Sequence, residues 1–452
     1  MSMFKFNAIK SALCIVGCLS GALAQAEAVD LSRLDGDLTP LGSIRAGNEA
    51  GTIPEWTGGM AAGAAEIESN GFYHNPFADE QPLYVITAQN YQQYSDVLSE
   101  GQIARFKSYA DFTMPVYQSH RSTAFPQAYY DKTRENQGVV SLANDGATLV
   151  DYEYGIPFAF PDKPMEVMWN HLTRFRGGSI DREFATATVA SNGTTGVVSY
   201  HQWLAWREVF TDLPPGDDRL FNTMVHVLEP ARYSGLVTLV QDSMDTSSNP
   251  RAAWQYNPGQ RRVRRAPTLS YDTSARYSSG IVTSDGVDGF GGAPDRYDWT
   301  LVGKKEIYIP YNSGKLTEPG VQYDDVLQAG HINPDFTRFE LHRVWEVQGN
   351  VKDGQRHIYA QRNFFVDEDS WMISLADHYD GRGTLWRVGE GHIGFNYQQK
   401  IPGYSIETLY DLLAGRYIAL GMYTEENSAP QYDFDPSYNQ FTPAALRASG
   451  VR

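Results

Sequence analysis

The stretch FELHRVWEV, residues 339–347, alternates apolar and polar side chains with a period of two. Successive side chains of a β-strand point to opposite faces of its sheet, so this alternation predicts a strand with one face in the core. The apolar face comprises Phe339, Leu341, Trp345 and Val347, and the polar face comprises Glu340, His342 and Glu346.

Further strands are predicted around this stretch, at Glu306–Tyr311, Arg356–Val366, Trp371–His378 and Thr384–Val388. The turn residues 367–370 (DEDS) separate two of them and indicate a hairpin. Consecutive strands joined by short turns predict an antiparallel sheet that is covered on one face and solvated on the other.

The N-terminal part of the chain has a different character. Residues 29–80 are rich in Gly, Pro and Asn, and we expect an ordered strap there. A capping-box pattern that starts at Ser99 predicts two short helices within residues 88–109. Apolar spacing predicts a third helix over residues 164–176 and a fourth over Ser405–Leu413.

Residues 1–26 are predicted to be a cleaved secretory signal peptide, with a basic start, an apolar stretch from Ala12 to Ala24 and small residues at the cleavage site. Both cysteines, Cys14 and Cys18, fall within it, so the mature chain has none. An exported chain without disulfides favours a bacterial periplasm. Residues 15–18 (IVGC) also resemble a lipobox, so anchoring by acyl chains at Cys18 is the alternative.

Composition excludes several functions. The 452 residues include 54 acidic and 37 Lys or Arg residues, and a net charge of −17 argues against a nucleic-acid partner. Beyond the signal, no apolar run is long enough for a membrane-spanning helix. The common hydrolase, zinc-protease and nucleotide-binding signatures are absent. We therefore predict no catalytic residue, no metal and no cofactor.

Two groups of carboxylates could still carry chemistry. Asp377 with Asp380, or Asp367 with Asp369, could serve a glycosidase, although such pairs in an acidic chain more often sit on turns. A Gly-rich stretch could instead wrap calcium, but its spacing does not match the helix–loop–helix calcium site and favours an ordered loop. The carboxylates of this stretch are Asp285, Asp288, Asp295 and Asp298.

Aromatic residues are the strongest indication of a binding site. Several lie in or beside predicted strands or helices, where they either fill a large core or line an apolar cavity. The candidates for the cavity wall are Trp169, Trp254, Tyr256, Trp345 and Trp371.

One dense basic run, residues 261–265 (RRVRR), stands out in this acidic chain. It is either a solvated strand at the rim of the sheet or a docking point for an anionic head group or an acidic partner. The docking candidates are Arg262, Arg264 and Arg265.

The chain resembles an uncharacterised family of Gram-negative periplasmic proteins that is described as outer-membrane lipoprotein-sorting-like. The resemblance extends from about Leu38 to the C-terminus. The matching segments are Leu38–Gly59, Met114–Tyr117, Gly155–Phe158, Trp169–Leu172, Ala253–Pro267, Pro294–Asn312 and Phe441–Leu446.

The resemblance implies the fold of lipoprotein carriers: a mainly β (α+β) protein with a large curved antiparallel sheet, an unclosed barrel around an apolar cavity plugged by helices. We expect an N-terminal strap and helical segment over residues 27–180. A half-barrel with a C-terminal helix and tail is expected over residues 181–452. The N-terminal segment is expected to pack on the sheet, so that the two segments form one compact unit.

Members of the family commonly occur beside resistance-nodulation-division-type exporters and an outer-membrane companion protein. This implies a periplasmic shuttle for a lipid or other hydrophobic molecule, working with those partners. A non-catalytic adaptor between envelope transport components is the alternative. A hydrolase acting on envelope lipid or polysaccharide is the third hypothesis.

Overall fold

The computed structural model describes residues 29–266, 271–432 and 434–449. The predicted signal peptide, both cysteines and the lipobox lie outside these residues.

β-strands dominate the described residues. They are β1 (Tyr84–Thr87), β2 (Thr113–Val116), β3 (Ser141–Ala143), β4 (Thr148–Val150), β5 (Ser179–Val189), β6 (Thr195–Trp206), β7 (Arg219–Glu229), β8 (Val237–Ser243), β9 (Ala252–Asn257), β10 (Arg262–Arg265), β11 (Tyr297–Pro310), β12 (Phe339–Val351), β13 (Gln361–Asp367), β14 (Ile373–Tyr379), β15 (Leu385–Asn396), β16 (Ile401–Asp411), β17 (Arg416–Met422) and β18 (Gln431–Tyr432).

Sixteen of these strands form one sheet, and fourteen of them follow each other in the order β1-β2-β12-β13-β14-β15-β16-β17-β5-β6-β7-β8-β9-β10. Strand β11 pairs with β12, and β18 pairs with β5. All pairs are antiparallel except one parallel bridge between β2 and β12. Among the described residues the end strands do not pair with each other, so the sheet is not closed into a barrel. The predicted mainly β, unclosed sheet is confirmed.

Strands from both predicted segments belong to this sheet, since β1 and β2 come from the N-terminal part. The division at residue 180 stays a prediction.

The prediction of a solvated face is wrong for β12. Its polar side chains Glu340, His342 and Glu346 are 0%, 1% and 7% exposed. Glu340 accepts hydrogen bonds from Arg338 Nε at 2.6 Å and from Asn312 Nδ2 at 2.9 Å. Both faces of the strand are therefore covered, because an internal polar network takes the place of water on one of them.

Helices are short. They are α1 (Glu100–Ser108), α2 (Gln127–Asn136), α3 (Pro164–Thr173), α4 (Tyr323–Val326) and α5 (Pro443–Ser449), with 3-10 turns at Leu31–Leu34, Tyr91–Val97, Arg207–Val209, Pro294–Arg296, Gly314–Thr317, Pro334–Phe336 and Tyr438–Phe441.

Two helix predictions hold and one fails. The capping box forms at Ser99 and separates the turn at Tyr91–Val97 from α1, and α3 begins at Pro164. The helix predicted over Ser405–Leu413 is wrong, because these residues lie mostly in β16. That segment pairs with β15 on one side and β17 on the other, and pairing on two edges outweighs local helical spacing.

Charged contacts hold α1 against the sheet. Asp377 of β14 accepts a hydrogen bond from the Gly101 backbone N–H at 3.0 Å, at the start of the helix. Near the other end, Arg105 forms an ion pair with Glu390 of β15, and both side chains are 1% exposed. A buried pair of this kind fixes position, because either charge alone would be very costly there.

We expect Glu390→Gln to lower the free energy of unfolding by about 3–5 kcal/mol, since it leaves the Arg105 charge buried without a partner. Urea unfolding followed by tryptophan fluorescence measures this. The matched control is Asp37→Asn at the exposed Arg33–Asp37 pair, which should leave the midpoint nearly unchanged. Equal effects of the two substitutions would contradict the role of the buried pair.

Candidate functional site

A cavity of about 360 Å³, here called the sheet cavity, opens beside the middle of the sheet. Its walls come from β5, β6, β16 and β17, from the loop between β10 and β11, and from residues 71–74 and 429–432. The volume lies within the range of ordinary small-molecule sites.

Strand alternation places one face of β5 and β6 in this cavity. Every second residue of each strand contributes to the wall, as the period of two requires. Three cross-strand pairs form the ladder: Ile180 with Leu204, Arg182 with Gln202, and Phe184 with Tyr200. The Phe184 and Tyr200 rings stack at 5.1 Å. The wall is thus apolar and aromatic, with an arginine in its middle.

The opposite face of β5 is covered separately. Ala185, Ala187 and Val189 pack in a hydrophobic cluster with Tyr323 and Val326 of α4. With that side filled, the cavity lies on one side of the sheet only.

A carboxylate between two arginines closes one side of the cavity. Asp288, in the loop between β10 and β11, pairs with Arg174 and, at 2.5 Å, with Arg176. Both arginines follow directly after α3. Burial alone would raise the pKa of Asp288, but the two guanidinium groups outweigh burial and lower it to about 2.

His171 fixes this loop without carrying charge. Its Nδ1 accepts from the Ile373 backbone N–H at 3.2 Å, so Nε2 donates to the Asp288 carbonyl at 2.9 Å. Burial, reinforced by Arg174, lowers the pKa of His171 to about 3. The imidazole therefore stays neutral and ties the end of α3 to β14 and to the loop.

Arg182 projects into the cavity from β5. Its Nε donates to Gln202 Oε1 at 2.8 Å, and its guanidinium lies 4.6 Å from the centre of the Phe184 ring. Burial lowers the pKa of Arg182. Within the described parts of the chain, no carboxylate forms an ion pair with it.

Glu407 of β16 lines the same cavity and accepts from the Gly289 backbone N–H at 3.0 Å. Burial and, to a smaller extent, the neighbouring Asp288 carboxylate together raise the pKa of Glu407 to about 8. At neutral pH this side chain is mostly uncharged.

The charges of the wall are unbalanced. Four arginines face two carboxylic acids, of which Glu407 is mostly protonated at neutral pH, so the cavity has an excess of positive charge. The arginines are Arg174, Arg176, Arg182 and Arg276. This is notable in a chain whose net charge is −17.

The five aromatic candidates lie outside the set of residues that line the cavity. Trp169, Trp345 and Trp371 belong to one hydrophobic cluster, in which the Trp345 and Trp371 rings stack at 6.4 Å. Trp254 and Tyr256 belong to another cluster, with β6 to β8 and the C-terminal helix. A wall or gate role for these residues stays a prediction.

The basic run forms β10, the last strand of the sheet order. Arg262, Arg264 and Arg265 are exposed, and within the described residues none of them forms an ion pair. Their docking role also stays a prediction.

The helices α1 and α3, predicted as a plug, do not themselves line the sheet cavity. Arg174 and Arg176, just beyond α3, reach the cavity, whereas α1 does not line it. The loop between β10 and β11 covers the sheet instead. In this loop Asp285 accepts from Arg362 of β13 at 3.0 and 3.1 Å, and Arg387 of β15 donates to the Ile281 carbonyl at 2.6 Å.

The carboxylate pairs do not form a cleft. Asp369 lies in the turn after β13, but placing Asp367 and Asp377 on turns is wrong, since Asp367 is the last residue of β13 and Asp377 is buried in β14. Asp367 and Asp369 lie near His342, with ligand atoms within 4.8 Å of one another. Both oxygens of Asp369 accept from Arg121, at 2.8 and 2.6 Å, so this group is part of an internal ion network.

The calcium alternative for the Gly-rich stretch finds no support in the described residues. No three of its carboxylates bring ligand atoms within 4.8 Å of one another. Asp285 and Asp288 bind arginines, and Asp295 accepts from Tyr271. The stretch is an ordered loop. Asp298 lies in β11 and is exposed.

Sequence reasoning missed the arginines of the cavity. Arg174 and Arg176 were not predicted as cavity residues, because their segment, residues 174–178 (RFRGG), is typical of the end of a helix. Arg182 was not predicted, because no strand was predicted over the residues that form β5. The usable signal was the face Ile180, Arg182, Phe184, which places a charge between two apolar side chains.

In the described part of the chain, no helix combines the length and the apolar character needed to cross a bilayer. The strand order and the cavity define the class: an open, mainly antiparallel sheet with an internal cavity on one side. The chain belongs to the family described as Protein of unknown function (DUF1329), whose model matches residues 85–447. The expected family membership is confirmed.

A relative from Pseudomonas aeruginosa, Uncharacterized protein PA3922, is 48% identical over 433 residues, which cover 95% of each chain.

Three solved structures are similar at low identity. A domain described as an outer membrane lipoprotein-sorting protein, from Vibrio parahaemolyticus, has a TM-score of 0.43 and 12% identity, covering 62% of this chain and 97% of its own. A DUF1329 family protein from Desulfovibrio piger has a TM-score of 0.41 and 16% identity, covering 60% and 92%. The LolA superfamily protein NE2245 from Nitrosomonas europaea has a TM-score of 0.37 and 14% identity, covering 62% and 98%.

We expect Glu407→Gln to change how stability depends on pH. Between its ordinary pKa of 4.5 and its folded pKa of about 8, Glu407 keeps its proton when folded and loses it when unfolded. Wild-type stability therefore falls as pH rises through this window, by up to about 1.4 kcal/mol per pH unit from this group.

The Gln variant has no carboxyl group that titrates at this position, so it should gain stability relative to wild type between pH 5 and pH 8. Urea unfolding at pH 5, 6.5 and 8 measures the difference. Exposed Glu49→Gln is the control and should run parallel to wild type. A constant difference between Glu407→Gln and wild type at all three pH values would refute the raised pKa.

Proposed function

We propose that this protein binds a lipid or another hydrophobic molecule in the sheet cavity and carries it through the periplasm. The observation that carries the proposal is the cavity itself, with its apolar and aromatic wall on β5 and β6. Family membership is compatible with this function but does not by itself establish it.

The physical need for such a carrier is clear. An acyl chain in water costs about 0.8 kcal/mol for each exposed CH₂ group, so a long chain does not cross an aqueous compartment unaided. The stacked pair Phe184 and Tyr200, together with Ile180, Leu204 and Leu420, offers a surface that removes such a chain from water. A site of this kind works by burial and requires no catalytic group.

The partners belong to the same proposal. An inner-membrane exporter of the resistance-nodulation-division type would load the carrier, and an outer-membrane protein would receive the cargo. The exposed arginines of β10 supply a surface for an acidic segment of either partner, because charge complementarity steers association. The export signal, with lipid anchoring at Cys18 as the alternative, would place the protein in this compartment.

The decisive experiment is native mass spectrometry of the mature protein purified gently from periplasm, followed by denaturation and lipid analysis. We expect a stoichiometric, chemically uniform hydrophobic molecule. A clean apo mass, with no uptake from a panel of lipids, would reject the carrier and favour a structural adaptor. Turnover of an offered lipid or polysaccharide would instead favour a hydrolase.

A cavity-filling variant adds a test of location. Gly403 lines the cavity, and a Cβ there would meet no heavy atom within 4 Å. We expect Gly403→Phe to fold normally and to lose at least about half of the bound molecule, because it occupies the space of the ligand. Gly381→Phe is the matched control, since its Cβ also has free space but its turn lies away from the cavity. Equal ligand occupancy in the two variants would place the ligand elsewhere.

Replacing Arg262, Arg264 and Arg265 together by Ala should weaken capture of a membrane partner at least about tenfold in a pull-down at low salt. The fold should remain intact, because all three side chains are exposed. Thermal unfolding provides that control. Unchanged capture would reject β10 as the docking strand.

A further inference from the structure

We propose, building on the carrier function above, that the ligand is an amphiphile with one anionic oxygen group, a carboxylate or a phosphate, and that the guanidinium of Arg182 binds this group. The hydrophobic part of the ligand then lies against the aromatic wall of β5 and β6.

The hydrogen bonding of Arg182 is incomplete. A guanidinium offers five N–H donors. The Nε donor is used by Gln202, and within residues 29–266, 271–432 and 434–449 the two terminal nitrogens have no hydrogen-bond acceptor. They border the cavity, so their natural partner is a group that enters it.

Neighbouring side chains hold Arg182 in place. Gln202 accepts from Arg182 through Oε1 and donates through Nε2 to Thr223 Oγ1 at 3.0 Å. Thr223 Oγ1 donates in turn to the Trp203 carbonyl at 3.0 Å. This chain of hydrogen bonds sets the orientation of the Gln202 amide, and the Phe184 ring packs against the guanidinium. A preorganised fork loses little entropy when it binds a planar oxyanion.

Arg182 differs from its neighbours Arg174 and Arg176 in its counter-ion. Arg174 and Arg176 share Asp288, which already neutralises part of their charge. Arg182 has no such counter-ion in the described chain, although it is partly buried. A desolvated cation without a counter-ion is costly, and an anionic ligand removes that cost on binding.

Apolar side chains lie on both sides of this charge. Ile180 and Phe184 flank Arg182 on the same face of β5, and Leu204 and Tyr200 flank Gln202 on the facing strand. A small free anion would leave these surfaces in contact with water. An amphiphile covers them while its head group meets Arg182, so the arrangement favours a ligand with both parts.

The test measures the affinity of four probes for the mature protein by isothermal titration calorimetry: dodecanoate, dodecyl phosphate, dodecanol and inorganic phosphate. We expect the two anionic amphiphiles to bind about 10- to 100-fold more tightly than dodecanol, as a charge-assisted hydrogen bond would give. Whichever anionic probe binds more tightly identifies a carboxylate or a phosphate as the preferred group.

The variant Arg182→Gln should remove this preference and leave the affinity for dodecanol within about threefold of wild type. Arg182→Lys should retain part of it, because the charge remains without the planar fork. Arg382→Gln is the matched control, since it removes the same charge from an exposed turn whose residues do not line the cavity, and it should behave as wild type.

Each other outcome has a definite meaning. Equal affinity for dodecanol and dodecanoate in wild type overturns the anion preference but leaves the carrier function standing. Tight binding of inorganic phosphate alone overturns the amphiphile. A preference that survives in Arg182→Gln overturns the role of Arg182. No binding of any chain, together with an apo protein from periplasm, rejects the carrier function as well. The wild-type comparison decides the ligand class even if a variant does not fold.

Discussion

The contact between Asp288 and the arginine pair Arg174 and Arg176 holds together the parts that form the cavity. It joins the loop between β10 and β11 to the end of α3, and His171 extends the connection to β14. A second carboxylate of the loop, Asp285, binds Arg362 of β13. Because these charges are buried, each depends on its partner, and the loop has one position over the sheet.

The pairing of these buried charges also explains why the cavity combines apolar walls with cations. Asp288 is paired with two other arginines, Glu407 is mostly protonated at neutral pH, and neither acid forms an ion pair with Arg182. The stacked aromatic rings on β5 and β6 supply a surface that excludes water. In such surroundings a charge interacts more strongly with its partner than it would in bulk solvent. The cavity is thus better suited to a molecule with two chemically different ends than to a simple hydrocarbon.

How far the sequence leads depends on what fixes each element. The β12 alternation and the capping box at Ser99 are local patterns, and both were predictable. The strand at Ser405–Leu413 was not predictable, because its strand state is set by pairing with β15 and β17 and its own apolar spacing fits a helix. The burial of the polar face of β12 was not predictable either. Glu340 is hydrogen-bonded to Arg338 and Asn312, whereas the sequence pattern alone predicts all three as surface residues. Arg182 shows the limit for the site, since a sequence does not reveal which arginine lacks a counter-ion.

The place of β5 in the sheet order has a consequence for how the molecule is made. This strand is joined on one side to β6, its neighbour in sequence, and on the other to β17 and β18 near the C-terminus. A chain that emerges N-terminus first holds β5 to β10 with one edge unpaired until nearly all of its residues are available. Closure then depends on contacts of long sequence separation, which form slowly and leave apolar surface exposed meanwhile. The ligand site is therefore among the last features to appear, and a holding factor that protects the free edge of β5 would protect the future binding wall at the same time.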